Sequence, residues 1–280
     1  MLSPEELDRQ YNARAAVPDH PAIFARWREY SRQARDLLRC EEDYYYGPSP
    51  AETLDFFPAR GTRSPLLIFV HGGYWRALDK SDFSFLAPAF VAAGVSVAIL
   101  NYGLAPAVRL DDMVRQMLRA TTWLHRHADD LKLDRDHFFA AGHSAGGQLA
   151  AMMLAADWPA WDERLPAGLV RGAVGVSGLY NLLPLAHAPF LRADLQLDDA
   201  AARRVSPVNY PPRQGLPLVT AVGSLESDEF RRQASEIATA WPDCPVEFLP
   251  LPGRHHFSAI EALGDTSHPL FHAAVRHIRN

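Results

Sequence analysis

Residues 142–147 read Gly-His-Ser-Ala-Gly-Gly, a Gly-x-Ser-x-Gly pattern set between the apolar run 137–141 and the helix-like run 148–154. A strand that turns into a helix within so few residues commits this part of the chain to an alternating strand and helix architecture. The turn also forces its central residue, Ser144, into a strained and exposed position, while the glycines on either side let neighbouring backbone pass close by. Ser144 is therefore a candidate nucleophile. So short a pattern needs companions.

The strongest companion lies upstream, where the apolar run Pro65-Leu66-Leu67-Ile68-Phe69-Val70 ends in His71-Gly72-Gly73-Tyr74-Trp75. Attack by a serine puts negative charge on a carbonyl oxygen, and backbone N–H groups already aimed at that point stabilise it. A glycine-rich loop suits this task because no Cβ blocks the approach. On the α/β-hydrolase pattern one donor comes from the residue after the nucleophile, Ala145, and the others from this loop, here Gly73 and Tyr74. Gly72 enables the turn. The plainer reading is a strand-end turn with an incidental histidine.

The same pattern presents its catalytic residues in chain order serine, acid, histidine, each at the carboxyl end of a strand. The apolar run Leu216–Val222 is closed by Gly223, and the first acidic residue beyond it is Glu226. Asp228 is the rival, two residues on, where a helix already begins. The last strand, Val246–Leu251, leads into Pro252-Gly253-Arg254-His255-His256-Phe257, and its two adjacent histidines compete for the role of base. A histidine there must be near-neutral to accept the serine proton, with the carboxylate fixing its tautomer.

His71-Gly72-Gly73-Tyr74-Trp75 followed by Gly142-His143-Ser144-Ala145-Gly146-Gly147 resembles the kynurenine formamidase (arylformamidase) branch of the α/β-hydrolases, which neighbours the hormone-sensitive-lipase-like esterases. The resemblance takes in Tyr11-Asn12, Tyr46-Gly47, Asn101-Tyr102-Gly103-Leu104-Ala105-Pro106, Ser177-Gly178-Leu179-Tyr180, Ser206-Pro207-Val208 and Glu229-Phe230-Arg231-Arg232-Gln233. It aligns Glu226 as the acid and His256, the histidine immediately before Phe257, as the base. Three departures from the family pattern stand out: Glu226 and Asn181 each stand where Asp is usual, and Gly147-Gln148 stands for Ala-His. The resemblance implies an acyl-enzyme mechanism without a cofactor, acting on an aryl formamide such as N-formylkynurenine. A carboxylesterase acting on short acyl esters is the alternative, because the same machinery cleaves esters. A non-catalytic ligand-binding protein of this fold is a remote third reading.

The rest of the chain bounds these expectations. With 280 residues, 48% of them hydrophobic, one α/β domain (1–280) has ample material for a core. The expected fold is a mostly parallel central sheet with helices on both faces. Strands are expected near 42–46, 53–57, 66–70, 95–100, 137–141, 170–176, 218–222 and 246–249, the first two as an antiparallel hairpin. An N-terminal helical segment (1–40) carries an amphipathic helix begun by Asp19-His20-Pro21, with Ile23, Phe24, Trp27, Tyr30, Ala34, Leu37 and Leu38 on one face. It either packs on the core or roofs the cleft.

The proline-rich stretch 181–215 fills the place of a cap, with Leu183, Phe190 and Leu191 as apolar walls. Trp75, Tyr102 and Phe190 are candidates for the substrate pocket. A net charge of −5 without a basic run argues against nucleic acid as a partner. The opening Met1–Glu6 has neither a positive n-region nor an apolar h-region, and no apolar stretch reaches membrane length, so a cytoplasmic protein is expected. The partner is then a small-molecule substrate, and a homodimer stays open. Cys40 and Cys244 have no metal-ligand spacing and read as ordinary thiols. His125, His127, His137, His187, His268, His272 and His277 are scattered, so no metal is expected. His71 and His143 read as structural.

Overall fold

Among the described residues eight strands form one sheet: β1 (Glu41–Tyr45), β2 (Thr53–Phe57), β3 (Ser64–Val70), β4 (Ser96–Leu100), β5 (Leu133–His143), β6 (Val170–Val176), β7 (Leu218–Gly223) and β8 (Val246–Leu251). The computed structural model describes residues 2–213 and 215–279; Met1, from the segment read for a leader, and Gln214, inside the expected cap, lie outside the described residues. The strand order is β1-β2-β4-β3-β5-β6-β7-β8. β1 and β2 form the expected antiparallel hairpin, β2 also pairs antiparallel with β4, and β3 to β8 run parallel. With helices on both faces, this is the α/β-hydrolase architecture that the motifs imply.

Strand pleating explains how one sheet supports two cores. In β3, Leu66, Ile68 and Val70 face one apolar cluster, while Leu67 and Phe69 face the other. A strand buried on both sides needs a continuous apolar run, and that run is what the sequence shows there. Helix Ala145–Ala155 packs on the first face through Leu149, Ala150 and Met153. Helices His20–Leu37, Ala87–Ala92 and Pro269–Arg279 cover the second, contributing Trp27, Phe90 and Ile278. Because β3 to β8 are parallel, their carboxyl ends open on one edge, where open α/β sheets place their ligands.

Two local expectations need correction. Asp19 does occupy the position before helix His20–Leu37, but its side chain makes no capping hydrogen bond. Along that helix Ile23, Phe24, Trp27 and Ala34 are buried, whereas Tyr30 is 50% and Leu37 is 76% exposed. The buried arc turns instead toward Ser31, whose hydroxyl accepts from the amide of Phe85. Residues 181–213 fold into short helices, Leu183–Ala186, Pro189–Leu195 and Asp199–Arg204, followed by a 3-10 turn at Pro207–Asn209. No helix among the described residues is long and apolar enough to cross a membrane.

Candidate active site

Ser144 sits directly after β5 with φ 56° and ψ −117°, in the left-handed region that a non-glycine residue enters only under constraint. The constraint is a close approach on both sides. A Cβ on Gly146 would collide with the backbone oxygens of Val70 and His71, and one on Gly142 with the backbone of Gly146. The turn is pinned at its start by the Ser144 amide, which donates to the Val176 carbonyl at 2.8 Å. Ser144 is only 2% exposed.

The candidate acid and base meet at the ends of β7 and β8. Glu226 follows β7 and His256 opens the short helix after β8; Nδ1 of His256 lies 2.6 Å from Oε2 of Glu226. The other carboxylate oxygen accepts from the Ser177 hydroxyl at 2.6 Å and the Gly223 amide at 2.7 Å. A carboxylate accepts but never donates here, so the Nδ1 contact holds the imidazole proton on Nδ1 and leaves Nε2 free as a base. Both side chains are buried, Glu226 1% and His256 6% exposed. Asp228, by contrast, is 82% exposed and pairs with Arg231. His255 also turns elsewhere, accepting from the Ser258 amide with its Nδ1.

Two further histidines hold this arrangement. His143 Nε2 donates to the carbonyl of His256 at 2.9 Å, and the two rings lie 4.8 Å apart. Complete burial pushes His143 well below the usual histidine range, and the neighbouring His256 pushes it the same way, so it stays neutral. The side chain next to Ser144 thus braces the main chain of His256. Ser144 Oγ itself makes no hydrogen bond among the described residues; catalytic hydrogen bonds are often long in a free enzyme and tighten only once substrate is bound. His71 lies 2.8 Å from the Gly72 carbonyl and 3.1 Å from Asn101 Oδ1, and it stacks on Tyr102 at 4.4 Å. Burial lowers its pKa as well.

The loop after β3 passes over Ser144 so closely that a Cβ on Gly72 would lie 3.2 Å from Ser144 Cβ. Gly73, Tyr74 and Trp75 then take three successive left-handed conformations, with φ 104°, 51° and 55°. The amides of Gly73, Tyr74 and Ala145 donate to no protein acceptor among the described residues. Unpaired amides at a helix N-terminus and a left-handed loop form a concavity for negative charge.

Of the expected pocket residues, two are supports of this loop instead. Trp75 is fully buried, with its indole N–H on Gln148 Oε1 at 2.9 Å, and Gln148 donates in turn to the Val205 carbonyl. Tyr102 is 1% exposed, and its hydroxyl donates to the carbonyl of His71 at 3.0 Å. Phe190 remains half-buried and meets Tyr74 edge-on at 5.4 Å. Leu191 is wholly inside the core, and Leu183 borders a separate hollow with Leu7 and Arg232. A cavity of about 280 Å³ adjoins Glu226 and His256, walled by Ala13, Val17, Leu225 and Phe230. The N-terminal stretch before helix His20–Leu37 thus walls this cavity.

This constellation has recognisable relatives. The chain is 30% identical over 279 residues to kynurenine formamidase of Salmo salar, a match covering 96% of this chain and 91% of that protein. The chain belongs to the kynurenine formamidase family. The BD-FAE family model matches residues 54–165. A thioesterase candidate from Silicibacter sp. TM1040, solved by crystallography, superposes with a TM-score of 0.84 at 32% identity, covering 98% of this chain and 99% of that one. Esterase LipC of Mycobacterium tuberculosis is 26% identical, over 96% of this chain and 71% of that protein. This member of the formamidase family is a serine hydrolase with formamidase or esterase activity.

Sequence reading passed over several residues of the site. Ser177 was visible only as part of a family motif, although its φ of 52° and its place at the end of β6 mirror those of Ser144. Tyr11 and Gln148 also entered only through the family pattern, because their hydrogen-bond partners lie far along the chain. Cys244 is buried and Cys40 half-buried, and burial pushes the Cys40 thiol up to about 12 and the Cys244 thiol up to about 11. Among the described residues no group of histidine, cysteine and acidic side chains could hold a metal ion.

Proposed function

We propose that this hydrolase cleaves aryl formamides with Ser144 as nucleophile, His256 as general base and acid, and Glu226 as its orienting carboxylate. His256 Nε2 takes the Ser144 proton as Oγ attacks the formyl carbon. The amides of Gly73, Tyr74 and Ala145 stabilise the oxyanion. The imidazolium then protonates the leaving aniline nitrogen and the C–N bond breaks. Water repeats the attack on the formyl-enzyme, releasing formate and the serine hydroxyl. Residues 181–213 act as the cap over this centre, and Phe190 contributes an apolar wall.

The observation that carries the reading is the buried 2.6 Å contact between His256 Nδ1 and Glu226, on the loops after β7 and β8. The enclosure of Ser144 favours a small acyl group such as formyl, and an aniline leaves more readily than an alkyl amine. The kynurenine formamidase relatives support the same substrate class. Similarity to Esterase LipC supports a second reading, a carboxylesterase for short acyl esters. Rates on N-formylkynurenine and p-nitrophenyl acetate, measured on one preparation with Ser144→Ala beside it, decide between them. A kcat/KM at least tenfold higher for the formamide is expected, with both activities and fluorophosphonate labelling lost in the variant. Ester preference would overturn the substrate assignment. Labelling that survives Ser144→Ala, or is absent from the wild type, would overturn the nucleophile.

A further inference from the structure

Three successive left-handed residues are an unstable way to build a loop. Tyr74 and Trp75 each carry a Cβ in a conformation that L side chains rarely adopt, so outside contacts must hold them. Trp75 is held by Gln148 through its ring and by the Ala105 amide, which donates to its carbonyl at 2.8 Å. Tyr74 is held by its hydroxyl, which donates to the main-chain carbonyl of Tyr11.

That carbonyl is free for a local reason. Helix Pro4–Tyr11 ends there, and Asn12 begins a new helical turn by accepting the Ala15 amide on its own side chain. The Tyr11 oxygen therefore has no intrahelical donor and sits at the negative end of the helix. Tyr11 cannot drift. It is 0% exposed, its hydroxyl donates to Glu229 at 2.7 Å, and Gln233 donates to that same hydroxyl at 3.0 Å. Its ring meets the edge of Phe230, which packs 4.5 Å from His256.

The preceding turn is tied to the rest of the site. Ser227, next to Glu226, donates its hydroxyl to the Gln10 carbonyl at 2.6 Å. The Phe190 amide donates to Asp8 at 3.2 Å. We propose that Asp8–Tyr11 is a positioning clamp for the reaction, with the Tyr11 carbonyl aiming the oxyanion-binding amides of Gly73 and Tyr74 through the Tyr74 hydroxyl. The inference rests on the reading above that those amides receive the oxyanion.

The test uses the full chain with Tyr74→Phe, which deletes only the hydroxyl, and Tyr11→Phe, which loosens the residue bearing the carbonyl. For each, kcat, KM, Tm and the Ki of a phenylboronic acid, a mimic of the tetrahedral oxyanion, are measured. Misaimed amides weaken the transition state and leave ground-state binding alone. Tyr74→Phe is expected to lower kcat and boronate affinity by the same factor, about tenfold, with KM within twofold. Tyr11→Phe is expected to show the same pattern at about threefold. A Tyr74→Phe enzyme with kcat and Ki within twofold of wild type overturns the clamp. So does a variant whose KM rises in step with its loss of kcat, the mark of general loosening. A wild type that neither hydrolyses the formamide nor reacts with a fluorophosphonate overturns the serine-hydrolase reading itself, an outcome separate from these.

Discussion

Replacing Glu226 with glutamine tests the proton logic of the site without changing its size. In the native protein one carboxylate oxygen takes the Gly223 amide and the Ser177 hydroxyl, and the other takes His256 Nδ1. Glutamine has one oxygen and one NH2. The Gly223 amide can only donate, so the amide oxygen must turn to that side, which aims the NH2 at His256 Nδ1. The imidazole then accepts at Nδ1 and carries its proton on Nε2, the tautomer that cannot take a proton from Ser144. The flipped amide fares no better, because it sets two donors face to face beside Gly223.

A wrong-tautomer histidine in a serine hydrolase costs about ten-thousandfold in kcat, or roughly 5.5 kcal/mol of transition-state stabilisation. The folded state loses far less, about 1–2 kcal/mol, because hydrogen bonds to the carboxylate become neutral ones. Steady-state hydrolysis at pH 7.5, paired with urea unfolding, reads both quantities. Asp228→Asn serves as the control and should stay within twofold of wild type, given its exposure and its pairing with Arg231 alone. Glu226→Asp keeps the proton logic but draws the carboxylate back by one carbon–carbon bond, so about a hundredfold loss is expected. A Glu226→Gln enzyme within tenfold of wild type, or an Asp228→Asn enzyme that loses more, would refute the reasoning.

Further outcomes follow from the buried titratable groups. His143 is held neutral by burial in the folded protein, while in the unfolded chain it takes a proton near pH 6.5. Its contribution to stability is therefore present above that pH and is lost as pH falls. Between pH 7.5 and 5.5 the loss is on the order of 1 kcal/mol from this residue, and urea titrations of His143→Gln should show a pH dependence shallower by that amount. An equal slope would show that His143 is protonated in the fold. The raised thiol pKa values of Cys40 and Cys244 predict that iodoacetamide at pH 8 leaves activity intact in the native protein; rapid inactivation would contradict the raised thiol pKa values.

Much of the candidate site was legible because its parts are local patterns. An apolar run closed by Gly-x-Ser-x-Gly, a second closed by His-Gly-Gly, and two late runs closed by an acid and a histidine each report a strand end and the turn after it. The choice between Glu226 and Asp228 was harder, since residues two apart at a helix start point in different directions and only loop closure decides which one faces inward. Trp75 and Tyr102 read as pocket aromatics because they follow strand ends. Their polar atoms were committed instead to Gln148 and the His71 carbonyl, partners that no spacing rule identifies. Tyr30 and Leu37 had the right period for burial, yet the helix rolled Ser31 inward in their place.

Periodicity and turn chemistry are properties of neighbouring residues, and by themselves they determined the strands, the strained serine turn, the glycine-rich loop and the order of the candidate catalytic residues. Contacts across the chain were decided only on folding. Ser177 reaches Glu226 over 49 residues, and Tyr11 reaches Glu229 over 218. Such contacts depend on where each loop comes to rest once the sheet has closed its two cores. Their strength comes from burial, which excludes the water that would otherwise compete for every hydrogen bond in the site.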